Sequence, residues 1–159
     1  MSEAYALSTI PAKILLPIDF SPSSHEALEQ ATVLAQHFHA EVYLVHVVQE
    51  GCNLETEKKE ALDRFTVSVA GLTAKGIKAT SSVEIDNDIA GGILDVIERE
   101  KIDLIVVSTH GTTGWHPLVF GSIAEKVVKL VQCPLLILRS PQPDTGVKMT
   151  PSRRSMEWW

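Results

Sequence analysis

Cysteine is scarce in this chain of 159 residues: Cys52 and Cys133 are its two thiols. Two are too few for a disulfide framework, and neither stands in a spacing that holds zinc. They read as reduced thiols of a cytosolic protein, with a redox switch between them as the alternative. Basic residues are also few. Fourteen Lys and Arg against twenty Asp and Glu give a net charge of −6, with no basic block, which argues against a nucleic-acid footprint. Long apolar runs are missing. The longest, such as Leu104 to Val107, are strand-sized, so no membrane span is expected. The start, Met1 to Leu7, has neither the basic nor the apolar part of a signal peptide, and a cytoplasmic location is expected. Two nucleotide motifs are absent as well, G-x-x-x-x-G-K-[ST] and a G-x-G-x-x-G after the first apolar run, so neither a P-loop nor the usual dinucleotide fold is expected.

What is present is the balance of one soluble globular domain, 45% apolar and 21% charged. Lys13-Ile-Leu-Leu-Pro-Ile18 is an apolar run that stops at Asp19. Ser21 or Ser23 then caps a helix with Pro22 in its first turn, and Glu26 completes a Ser-x-x-Glu box from Ser23. Ala27, Leu28, Ala31, Leu34, Ala35 and Phe38 recur at helical spacing. Glu41 to Val48 is a β-branched run, hence a buried strand. A helix follows from Glu55 to about Lys75, with Leu62, Phe65, Val69 and Leu72 on one stripe and Gly76 ending it. Lys78 to Ile85 alternates weakly, as an outer strand does. Asp86-Asn-Asp88 is a turn and cap before a helix from about Ile89 to Glu100, in which Gly91-Gly92 is poor helix material. Asp103 to Val107 is a central strand, Ser122 to Val131 a helix, and Pro134 to Arg139 the last strand.

Strict alternation with near-continuous apolar strands predicts an α/β fold: an open five-stranded parallel sheet with helices on both faces, Rossmann-like. Such sheets bind ligands outside the carboxyl ends of the strands, at the switch point. Asp19, the Val47 region and the loop after Val107 are therefore expected at one rim. The expected organisation is a lead over 1–12, a domain over 13–140 and a flexible tail over 141–159, where periodicity ends and Pro141, Pro143 and Pro151 appear. Trp158-Trp159 reads either as a weakly ordered end or as an aromatic anchor.

The loop from Ser108 to Ser122 carries the chemistry. Its glycines, Gly111, Gly114 and Gly121, permit positive φ and let backbone N–H groups approach phosphate oxygens. Gly121-Ser122 opens a helix, whose free N–H groups favour an anion. Ser122 also forms a capping box with Glu125, which needs no ligand.

Lys13 to Ser21, Val45-His-Val-Val48, Asp103 to Gly111, Gly121 to Val127 and Val131 to Leu138 resemble, in order, the segments of universal stress proteins. The resemblance covers residues 13 to 139 and implies a sheet order of 3-2-1-4-5 in an adenine nucleotide alpha hydrolase-like fold. The ATP-binding branch of that family carries Gly-x-x-Gly, nine residues, then Gly and Ser or Thr. This chain matches at Gly111, Gly121 and Ser122 and has Ser108 at the place of the first glycine. The resemblance implies ATP, with Mg2+, as ligand. Pro17, Ile18, Asp19 and Val47 would line the adenosine end, with Asp19 near the ribose or a cation and Val107 beside the base. Ser108, Thr109, His110, Gly111, Thr112, Thr113 and Gly114 would wrap ribose and triphosphate, and Gly121, Ser122 and Ile123 would hold phosphates with N–H groups. Asp19 has a second reading, as a carboxylate that favours the helix dipole behind it.

No catalytic set stands out. His37 and His39 are two apart and face different ways on a helix, His46 reads as a hydrogen-bonded core residue, and His110 is the sole general-base candidate. The expected function is that of an ATP-binding stress regulator with little or no hydrolysis. The alternatives are a slow ATPase and a nucleotide-free structural dimer. An adenylylating enzyme would carry Ser-Gly-Gly-x-Asp-Ser after its first strand, where this chain has Pro17-Ile-Asp-Phe-Ser-Pro22. A homodimer through the unguarded last strand, Pro134 to Arg139, is expected, with a protein partner left open.

Overall fold

The computed structural model describes residues 10–108 and 122–138; residues 1–9 of the expected lead and all of the expected tail lie outside them. The elements run β1 (Lys13–Pro17), α1 (Pro22–Phe38), β2 (Glu41–Val48), α2 (Leu54–Ala74), β3 (Ala79–Ile85), α3 (Ile89–Glu100), β4 (Leu104–Ser108), α4 (Ser122–Leu130) and β5 (Leu135–Leu138). The strands form one parallel sheet in the order β3-β2-β1-β4-β5, the order that the resemblance implied.

Strand alternation builds two cores. Ile14, Leu16, Val42, Leu44, Leu104 and Val106 point to one face, where Ala27, Ala31 and Ala35 of α1 and Phe65 and Leu72 of α2 cover them. Leu15, Tyr43, Val45, Val47, Ile105 and Val107 point to the other, under Ala90, Ile93 and Val96 of α3 and Val127 of α4. Because both faces of β1, β2 and β4 are covered, these strands are apolar throughout, which is why they read as unbroken runs. Among the described residues no helix is long and apolar enough to cross a membrane.

One open alternative among the local expectations is decided, and others are corrected. Ser21, not Ser23, caps α1: its Oγ accepts from Ser24 N–H at 3.2 Å, and Ser23 is buried inside the first turn. Leu62 is 43% exposed, and Ala61 takes the buried place beside Phe65 on the α2 stripe. Asp103 is not in the central strand. Its Oδ2 accepts from the N–H groups of Ala12 (3.1 Å) and Lys13 (2.9 Å), so it buckles the entry of β4 to that of β1. The two thiols do not meet, since Cys52 follows the carboxyl end of β2 and Cys133 precedes β5 at the opposite rim. That removes the redox switch between them within one chain.

Gly91-Gly92, poor helix material by propensity, has a packing reason at each position. A Cβ on Gly92 would stand 3.1 Å from Val47 Cγ1 and 3.3 Å from Asp86 Cβ, so the missing side chain is what brings α3 close onto β2. A Cβ on Gly91 would meet the Asp88 carboxylate at 3.0 Å, at the head of the same helix.

Candidate functional site

The sheet order reverses between β1 and β4, because β2 lies to one side of β1 and β4 to the other. The helices that follow β1 and β4, α1 and α4, cover opposite faces of the sheet, and in open α/β sheets the carboxyl rim at such a reversal is where ligands bind. Pro17, Ile18 and Asp19 arrive there from β1, Val47 from β2, and Val107 and Ser108 from β4. Ser122 and Ile123 begin α4 on the far side of the β4–α4 connection, both exposed. Thr109, His110, Gly111, Thr112, Thr113, Gly114 and Gly121 lie outside the described residues.

The rim residues divide by face. Val47 and Val107 belong to the α3–α4 core and are 8% and 7% exposed. Ile18 points the other way, into the α1–α2 core. Its N–H donates to the Val45 carbonyl at 2.8 Å, and its carbonyl accepts from His46 Nδ1 at 2.7 Å. His46 is thus half-buried and spent on the backbone, as expected for a core histidine.

Asp19 serves its own turn. Its Oδ1 accepts from Ser21 N–H at 3.0 Å and from Ser21 Oγ at 2.5 Å, holding the cap residue of α1 in place. Among the described residues its Oδ2 makes no hydrogen bond, and the side chain is exposed. The local reading and the ligand reading therefore use different oxygens of one carboxylate.

Sequence reasoning missed Phe20. Its φ of 61° is in the left-handed region, which a bulky side chain occupies only under constraint. The constraint is visible: the ring packs at 5.0 Å from His46 and 5.4 Å from Phe65, with the Arg64 guanidinium 4.9 Å above it. This stack pins the β1–α1 turn and so fixes where Asp19 stands. No sequence signal marks a left-handed phenylalanine. Two further contacts shape the rim. Asn87 bonds across to the loop after β2, its carbonyl accepting from Gln49 Nε2 and its Oδ1 from Glu50 N–H, both at 3.0 Å. Lys126 of α4 pairs with Asp88 at the head of α3, and that ammonium, helped by the first amides of the helix, holds the Asp88 carboxyl below its ordinary range.

A parallel sheet with a reversal at β1/β4, a carboxylate just past β1 and a glycine-patterned sequence after β4 define an open α/β domain of the Rossmann-like kind. The chain belongs to the universal stress protein family, whose model matches residues 12–139. It is 34% identical over 143 residues to a universal stress protein of Methanocaldococcus jannaschii, covering 83% of this chain and 84% of that one. A solved structure of a second protein from that organism superposes with a TM-score of 0.74 at 25% identity, covering 85% of this chain and 100% of that chain. The universal stress protein of Archaeoglobus fulgidus solved in complex with dAMP superposes with a TM-score of 0.65 at 20% identity, covering 81% of this chain and 98% of that one.

Proposed function

We propose that the chain binds ATP at the carboxyl rim and acts as a cytoplasmic, nucleotide-responsive stress regulator with little or no hydrolysis. The observation that carries this reading is the convergence of Asp19, Val47, Val107 and Ser108 at the reversal of strand order, where the glycine-patterned connection begins. The dAMP bound by the Archaeoglobus relative supports an adenine nucleotide as the ligand class. In this reading the apolar tips of Val47 and Val107 take the base. The main-chain N–H groups around Gly111, Gly121 and Ser122 hold phosphates, because glycine leaves those donors uncovered and α4 opens with its positive end toward them. The second oxygen of Asp19 is a hard ligand of the kind that a ribose hydroxyl or Mg2+ takes.

The experiment is mass spectrometry of whatever small molecule leaves the purified protein on denaturation. ATP is the expected finding. AMP or ADP would mean that the chain turns nucleotide over, and no nucleotide would favour a structural dimer.

A second copy is the partner this reading supplies. β5 is an edge strand whose four residues, Leu135 to Leu138, are apolar and only half-buried. Ile123 and Leu130 on neighbouring α4 are 39% and 53% exposed, which continues the apolar surface. We propose that two copies pair along β5, which covers this edge.

A further inference from the structure

On the face opposite Val47 and Val107, a groove of about 310 Å³ runs between α1 and α2. Ile18, Phe20, Leu28 and Val67 give it an apolar lining, and His25 and Arg64 stand at its edges. Two features ask for an occupant. Val67, on the α2 side of the groove, is a large apolar side chain left 73% exposed. Arg64 lies over Phe20, and among the described residues no carboxylate is within ion-pair distance of it. A cation fixed on an aromatic ring beside an apolar slot suits an acidic group next to a flat apolar one.

The chain carries that chemistry itself, in Glu157-Trp158-Trp159. We propose that the α1–α2 groove is the docking site for this segment, with one indole between Leu28 and Val67 and the Glu157 carboxylate on Arg64. Size fits: pockets of a few hundred Å³ take one aromatic group, and indole is the largest side chain that leaves apolar area to cover. Reach fits as well. β5 is two strand spacings from β1, roughly 10 Å, whereas the nineteen residues from Leu138 to Glu157 extend to at most roughly 60 Å. Charge continues the match. Arg153-Arg154 precedes the aromatic pair, and exposed Glu29 and Glu60 lie one helical turn from His25 and Arg64 on the two walls. A tethered segment also needs little intrinsic affinity, because tethering supplies an effective concentration on the order of millimolar. The chain's own segment therefore outcompetes a foreign peptide of the same character. The groove is on the other face of the sheet from Val47 and Val107, so the inference stands whether or not ATP is the ligand.

The test uses the full chain with Trp115→Phe, which leaves Trp158 and Trp159 as the only indoles. Emission should be blue-shifted, and the share of it that comes from the docked indole should resist acrylamide, which quenches all the emission of a free Trp-Trp peptide. Val67→Glu, at a position exposed enough to leave folding intact, and Arg64→Glu should each restore quenching to the peptide value with unchanged circular dichroism. Protection that survives both substitutions would place the indoles elsewhere and overturn the proposal. So would a free-peptide spectrum in the unaltered chain, or protection that disappears on dilution, which would assign the groove to another copy's segment.

Discussion

Gly92 sets the distance between α3 and β2, and Gly71 sets nothing. Both are glycines in helices, where replacement by Ala gains about 1 kcal/mol of helix propensity. At Gly71 nothing stands within 4 Å of the new Cβ, so Gly71→Ala should raise the melting temperature. At Gly92 the new Cβ presses on Val47 at 3.1 Å, and Val47 is 8% exposed within the α3–α4 core. Overpacking of that kind costs about 1–3 kcal/mol, which outweighs the propensity gain, so Gly92→Ala should lower it. Calorimetric melts of the two variants side by side check the sign. Gly92→Ala melting as high as Gly71→Ala would mean that Val47 yields freely and is no fixed wall of the proposed site.

Glu84 shows how the same scale governs acid stability. Arg99 donates to its Oε1 at 2.6 Å, which outweighs burial and holds the carboxyl below its ordinary value of 4.5. A carboxylate with a lowered folded pKa stabilises fully above the unfolded value and loses that contribution as pH falls through the folded one. Arg99→Met should therefore melt lower than the unaltered chain at neutral pH, by an amount worth about 1 kcal/mol or less. The gap should close below the folded value of Glu84. A gap that stays constant down the acid limb would show that Arg99 stabilises by packing alone.

At the scale of elements, the apolar runs from Lys13, Glu41 and Leu104 were legible because both faces of a parallel strand are buried, and α1 because alanines at helical spacing need no partner to be recognised. That the sheet would have a reversal point followed from the alternation of elements, and its place between β1 and β4 from the family resemblance. What stayed hidden was set by tertiary contact. Ser21 prevails over Ser23 as cap because Asp19 holds its backbone N–H and hydroxyl. Asp103 leaves the strand because the N–H groups opening β1 need an acceptor there. Phe20 adopts φ 61° because three side chains from β2 and α2 form a seat for its ring, and that seat is assembled only by the fold. The candidate site was readable in the same uneven way: its rim positions from the topology, its phosphate loop from glycine spacing, its supporting contacts not at all.

At the scale of the whole molecule, pairing along β5 makes a prediction of its own. Ile137 is central in a strand with no charge to guard its edge, so Ile137→Lys would set a like-charged pair into the proposed interface of two copies. Sedimentation should show a dimer for the unaltered chain and a shift toward monomer for the variant. A monomer in the unaltered chain at all concentrations would remove the dimer from the account.

In the proposed function, nucleotide is held by main-chain donors of the β4–α4 connection, with side-chain charge secondary. Titration with ATP and magnesium by calorimetry tests it most directly, on three variants and the unaltered chain. Gly121→Val puts a branched side chain where phosphates are proposed to lie, at the head of α4, and should abolish binding while the fold persists. Ser108→Gly restores the glycine of the ATP-binding pattern and should hold or tighten affinity. His110→Ala should leave affinity nearly unchanged, since the main chain of that residue, and not its imidazole, is proposed to face the nucleotide. Equal affinity in Gly121→Val and the unaltered chain would contradict the claim and place the nucleotide elsewhere or nowhere.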